Sequence, residues 1–243
     1  IIQTGVVLLG FSINYQAAIN SSLQYIPVIS IFVVLTFILV FLLGLSLKID
    51  KNYSLLVASG SSICGGTAMV SIAPIIKSKN EDLATALSII FFLNAIGIIL
   101  FPFLGQLLNL SQIQFGAWVA TVIHDTSAVI GASMSYGYES LETASTLKLG
   151  RTLWLIPLIT LISINQGRDK KYFSVPMFVI FFITAIILGS YFNMPIEKEM
   201  IRHISQIIFL TGLFSIGTQI SFKNLKNIDK NKLLYPIISW ILI

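Results

Sequence analysis

Five stretches of this chain, 26–47, 83–104, 152–164, 174–192 and 203–218, carry scarcely a charged side chain, and most approach the length an α-helix needs to cross a bilayer. A hydrocarbon core about 30 Å thick asks for roughly 20 apolar residues in helical form, and few other folds give such runs a place. Only 10% of the 243 residues are charged and 56% are hydrophobic, too apolar a balance for one water-facing core, where about 25% charged is usual. A membrane β-barrel would alternate polar and apolar residues in short segments, and no such alternation is present. The expected fold class is all-α: a polytopic transmembrane helical bundle, a single transmembrane domain over 1–243.

With the less regular segments included, the candidate spans are 1–18, 26–47, 54–76, 83–104, 114–136, 152–165, 174–192, 203–221 and an incomplete 233–243. The chain begins on Ile1 inside an apolar run, and its last run is about half a span. It is therefore read as part of a longer protein with at least one helix ahead of it. Residues 138–150 are too polar to span and are expected to lie as a short interfacial helix. Ser78 and Glu81 have capping-box spacing ahead of the 83–104 run. The formal charge of +5 comes from Lys and Arg in short connectors, which suits helix orientation rather than nucleic-acid binding. Alternate connectors differ too little in Lys and Arg to fix orientation, although the excess favours 48–53, 166–172 and 223–232 on the cytoplasmic side. Trp118, Trp154 and Trp240 suit interface anchors.

Two spans are irregular. Gly60-Ser-Ser-Ile-Cys-Gly-Gly-Thr67 puts three glycines and three hydroxyls in eight residues, and each glycine weakens a helix interior by about 1 kcal/mol. The second, ATVIHDTSAVIGAS at 120–133, carries His124 and Asp125 side by side at mid-span. An ionised Asp there costs at least about 3 kcal/mol, so it needs a partner or a purpose. Asp125-Thr-Ser is also a good N-cap sequence, and close packing through small residues is the plain explanation of the glycines. The sharper reading makes both stretches helix breaks: Gly60, Ser61, Ser62, Cys64, Gly65, Gly66, Thr67, Thr126 and Ser127 would bind substrate, and His124 and Asp125 would take up protons. Lys148 and Arg151 are secondary charge candidates, for which snorkelling to the interface is the ordinary alternative. Leu9-Gly-Phe-Ser-Ile-Asn14 and Ile216-Gly-Thr-Gln-Ile-Ser221 align as short similar motifs. An odd number of spans between them would make an inverted-topology repeat.

A hydrolase built on Ser62, His124 and Asp125 is the rival class. It lacks a Gly-x-Ser-x-Gly elbow, and adjacent His and Asp cannot easily form a relay. His203, the second histidine, stands near a span end, so a metal phosphohydrolase lacks ligands. No enzyme activity, cofactor or metal is expected. The expected partners are a small anion and the lipid bilayer, not nucleic acid, and a homo-oligomer is compatible with the pattern. Cys64 is the one cysteine in the sequence, so no disulfide framework forms within it.

The ordered motifs Gly5-Val-Val-Leu-Leu-Gly-Phe11, Gly60-Ser-Ser-Ile-Cys-Gly-Gly66, Ala73-Pro-Ile-Ile-Lys77, His124-Asp-Thr-Ser127 and Leu147-Lys-Leu-Gly-Arg151 resemble the YeiH family. These are multi-pass bacterial inner-membrane proteins labelled as sulfate exporters. The resemblance implies a secondary transporter with broken helices at its centre, related in architecture to cation antiporters and bile-acid transporters. It carries over to Ser61, Ser62, Cys64, Gly65, His124, Asp125, Thr126, Lys148 and Arg151. The sequence departs from the family pattern at Gly66, where Ala or another small residue is common, and at Gly150, where a hydroxyl residue is common. The expected function is export of a small anion such as sulfate or a sulfonate, coupled to protons. The alternative on a similar scaffold is a cation/proton antiporter.

Overall fold

The structure, a computed structural model, describes residues 2–13, 15–165, 177–191, 197–217 and 229–243. Among these every regular element is an α-helix. In chain order they are α1 (Ile2–Gly10), α2 (Tyr15–Ser46), α3 (Lys51–Ser62), α4 (Gly66–Ile72), α5 (Asn80–Leu107) and α6 (Gln112–Val122), followed by α7 (Thr126–Tyr136), α8 (Tyr138–Thr152), α9 (Leu155–Asn165), α10 (Met177–Tyr191), α11 (Lys198–Gly217) and α12 (Lys230–Leu242).

The long helices α2 and α5 each turn a row of large apolar side chains outward, including Val34, Leu35, Ile38 and Leu42 on one and Ile99, Phe103 and Leu107 on the other. A contiguous apolar surface of this kind is stable only against lipid or another apolar partner. Among the described residues three stretches are long and apolar enough to cross a membrane: Tyr25–Ser46, Asn80–Leu107 and Tyr138–Ile164. The protein is thus an all-α membrane bundle. Of the two copies of the short repeated motif, Asn14 and residues 218–221 lie outside the described residues.

Among the described residues, buried apolar side chains form three clusters. One gathers α2, α3, α4, α5, α9 and Tyr235 of α12; a second gathers α1, α10 and α11; a third fills the space between α6 and α7. Helix α8 supplies residues to all of them, Leu147 to the first, Leu141 and Leu149 to the second and Ala144 to the third.

This central place for α8 overturns the interfacial reading of 138–150. Ser140, Leu141, Ala144, Ser145, Thr146, Leu147, Lys148, Leu149, Arg151 and Thr152 are all buried. Three of its four buried hydroxyls bond within the helix: Ser145 Oγ donates to the Leu141 carbonyl (2.6 Å), Thr146 Oγ1 to Glu142 (2.9 Å) and Thr152 Oγ1 to Lys148 (2.9 Å), while that of Ser140 has no partner. A helix can run through apolar surroundings when most of its polar side chains find acceptors, whether one turn back in the helix or on its neighbours. The Ser78–Glu81 capping box does not form either. Lys79 holds the N-cap of α5 without a side-chain bond, and Ser78 Oγ donates to the Lys79 carbonyl instead. A capping box does form at α6, where Ser111 and Gln114 bond reciprocally.

Candidate functional site

Both irregular spans are interrupted helices. In the first, α3 closes at Ser62 and α4 opens at Gly66, so Ile63, Cys64 and Gly65 form the break while Gly60, Ser61 and Ser62 stay helical. Gly65 has φ +60° and ψ −120°, a region that side-chain-bearing residues avoid. In the second, Ile123, His124 and Asp125 separate α6 from α7, and Ile123 and Asp125 are extended. The Asp125 carboxylate accepts the Ser127 amide at 2.8 Å, capping α7 at its positive end. Asp125-Thr-Ser therefore works as the N-cap its composition suggests.

The two breaks meet. A methyl group placed on Gly65 would lie 3.2 Å from Asp125 Cα and 3.3 Å from its Cβ and amide nitrogen. The left-handed glycine thus lets one interrupted helix cross the other in backbone contact.

At the crossing, α3 and α6 end inside the bundle with carbonyls that have no partner further along their own helix. Arg151 fills that need. Its Nε donates to Ser62 O (2.7 Å) and its Nη1 to Ala120 O (3.1 Å), while Nη2 reaches Ser61 O and Nη1 also reaches Thr121 O. One planar guanidinium therefore ties two helix C-termini together, which a point-like ammonium could not do. Lys148, three residues earlier on the same face of α8, donates from Nζ to Ile123 O at 2.6 Å. Both side chains are fully buried, so neither snorkels. Each helix C-terminus carries about half a negative charge, and the two cations sit against that charge.

The remaining site residues divide by accessibility. Cys64 and His124 are buried, each with 1% of its surface exposed. The Cys64 sulfur accepts the Ala68 amide and lies within electrostatic reach of Lys148, Asp125 and Arg151. Neither nitrogen of His124 makes a hydrogen bond, although the Val122 carbonyl lies beside the ring. His124 and Asp125 do not pair. The Ser61 hydroxyl is also buried without a partner, and Ser62 Oγ donates to Ser59 O at 3.3 Å. Thr67, Asp125, Thr126 and Ser127 are only partly buried. Gly60 lies under Met69, and Gly66 packs beneath Phe91 and Leu87.

Sequence reasoning missed the carbonyls of Ala120, Thr121 and Ile123, because backbone acceptors carry no mark in residue type. Asn94 of α5 is also buried, with both amide atoms unpartnered. Among the described residues no group of three or more His, Cys, Asp or Glu is placed to hold a metal ion.

No solved structure matches the chain. A membrane protein of Shewanella oneidensis named as UPF0324 is 38% identical over 245 residues, covering 100% of this chain and 77% of its own length. The corresponding protein of Bacteroides thetaiotaomicron is 37% identical over 246 residues, covering 100% of the chain and 74% of its own. One from Vibrio parahaemolyticus is 34% identical over 252 residues, covering 100% and 80%. The family described as conserved hypothetical protein 698 matches residues 1–236. The chain, with its crossed helix breaks, belongs to this UPF0324 family of membrane proteins, which is the YeiH family.

Proposed function

We propose that the protein is a secondary transporter of a small anion, such as sulfate or a sulfonate, coupled to protons and working as a multi-pass protein of the bacterial inner membrane. The observation that carries this reading is the crossing of two interrupted helices at Gly65 and Asp125, with buried cations at their C-terminal ends. Discontinuous helices meeting inside a bundle are the common substrate-binding device of secondary transporters, commonly between inverted repeats. The inverted repeat itself belongs to this proposal.

Charge balance supports an anion. The two helix C-termini at the crossing and the two N-termini opposite them carry partial charges that offset one another. With Lys148 and Arg151 both protonated and Asp125 ionised, one positive charge is left for an anion to neutralise. A proton on Asp125 raises that surplus and admits a dianion, which gives a physical basis for proton coupling. Thr67, Thr126 and Ser127, partly buried residues that open the helices after the two breaks, are the hydroxyls offered to the anion's oxygens. His124, buried beside Asp125 with both nitrogens free, is the second proton-handling group of the proposal. Ser61, Ser62, Cys64 and Gly60 act from behind as the frame of the first break.

The test is flux in proteoliposomes. Asp125→Asn should abolish proton-coupled anion flux while leaving the folded fraction intact, and a wild-type pH dependence in that variant would remove Asp125 from coupling. A thermal-shift screen against sulfate, sulfite, thiosulfate, sulfonates and carboxylates at two pH values identifies the anion, because a ligand that binds only the folded state raises its stability. The second reading, a cation/proton antiporter, rests on Asp125 as an acidic group at the second break. It wins if a sodium or potassium gradient drives proton flux in the absence of every anion tested. An intramembrane hydrolase ranks third, since neither Ser61 nor Ser62 donates to His124; serine-reactive probes should leave both unlabelled.

A further inference from the structure

Away from the crossing, a groove of about 410 Å³ runs between α2, α3 and α9. Its walls are apolar, with Val34, Phe37 and Phe41 of α2 facing Leu158 and Leu161 of α9. Val34, Ile38 and Leu161 at its rim belong to the bundle's outward apolar surface. The polar residues that line it stand apart. Lys51, the first residue of α3, is exposed and forms no ion pair among the described residues, and Ser62 is the last residue of the same helix. Asp50 spends its carboxylate on the amides of Asn52 and Tyr53. Trp154 lies toward the Ser62 end, where its indole Nε1 donates to Ser30 at 3.2 Å.

The length of the groove is informative. Lys51 and Ser62 are separated by about 16 Å of helix at roughly 1.5 Å per residue, half of a hydrocarbon core about 30 Å thick. That length matches the depth of one leaflet, which would put Lys51 at the membrane surface and the helix break at mid-depth.

We propose that this groove is a binding site for an anionic phospholipid. One acyl chain lies between α2, α3 and α9, the phosphate pairs with Lys51, and the chain end rests on Ser62 and Ile63. The Ser62 carbonyl is one of those held by Arg151, so the lipid braces the first break from outside. The inference does not depend on which ion crosses the membrane.

Trp154 makes the site observable. In full-length protein in which every tryptophan other than Trp154, Trp118 and Trp240 among them, is replaced by phenylalanine, its fluorescence is followed in vesicles of unbrominated phosphatidylcholine. Increasing fractions of phosphatidylglycerol or phosphatidylcholine with brominated chains are then added. Half-maximal quenching should need a severalfold smaller fraction of phosphatidylglycerol. Lys51→Gln should erase that difference, Lys51→Arg should keep it, and millimolar inorganic phosphate should not compete. Equal quenching by the two lipids, a preference that survives Lys51→Gln, or displacement by free phosphate would each overturn the proposal. Should the tryptophan substitutions prevent folding, native mass spectrometry of the wild-type protein and Lys51→Gln decides the same point. Retention of phosphatidylglycerol over phosphatidylcholine, lost in Lys51→Gln, is the supporting result, and equal retention in both proteins is the opposing one.

Discussion

Arg151 sits where several backbone demands converge, and its chemistry sets what can replace it. Lysine keeps the charge but concentrates its donors on one nitrogen, so it cannot reach the carbonyls of both α3 and α6. Leaving two or more buried carbonyls unsatisfied costs about 1–3 kcal/mol each. Arg151→Lys should therefore lose about 2–5 kcal/mol in unfolding by SDS, followed by tryptophan fluorescence, and Arg151→Met should lose more. A lysine variant as stable as the wild type would mean that the guanidinium does not join the two ends. The neighbouring glycines separate by the same kind of reasoning. Gly65→Ala forces a side chain into a left-handed backbone and against the Asp125 main chain, so a loss of about 1–3 kcal/mol is expected. Gly66→Ala meets only the side chains of Phe91 and Leu87, at 3.2–3.3 Å, which can shift, and should cost under about 1 kcal/mol. The comparison in one unfolding assay checks both.

Among the helices, the two interruptions were legible because their cause is local. Glycine and hydroxyl density marks the first, and an Asp-Thr-Ser cap in mid-span marks the second. That the two would pair across the fold follows from the precedent of paired broken helices, whereas the contact that joins them, Gly65 against the Asp125 backbone across 60 residues of chain, carries no mark in the sequence. Helix α8 was misread for a related reason. Its polarity suggested a surface, yet the acceptors that make burial tolerable lie on α3, on α6 and one turn back in α8 itself. Close packing of α6 on α8 keeps those acceptors in range. A methyl group on Gly116 would lie 2.6 Å from the Ser140 carbonyl oxygen and 3.0 Å from Thr143 Cβ. Gly116→Ala should push α6 off α8 and draw the Ala120 and Thr121 carbonyls away from Arg151, at about 1–3 kcal/mol. In the SDS assay, combining Gly116→Ala with Arg151→Met should cost less than the sum of the two alone, because both changes break the same bonds. Strict additivity would detach the packing of α6 from the arginine.

The bundle as a whole joins its clusters of buried apolar side chains through α8 and the crossing, and transport by rocking would have to open this junction to each side in turn. Cys64 is a natural reporter of that motion, because it lies in the first break, is buried, and is the one cysteine of the sequence. In native membranes a maleimide should label it far more slowly than after SDS denaturation, since labelling must wait for the junction to part. The transported anion should change that rate severalfold, by favouring whichever arrangement binds it better. Phe209→Ala is a useful contrast: its ring packs on Gly5 and belongs to the cluster of α1, α10 and α11, remote from Cys64 in the chain. Loosening that cluster should raise the labelling rate if the clusters move against each other as bodies, and should leave it unchanged if Cys64 becomes exposed only by local fraying of α3 and α4. A labelling rate insensitive both to Phe209→Ala and to every anion that stabilises the protein would count against rocking about the crossing, and with it against the transport reading of the interrupted helices.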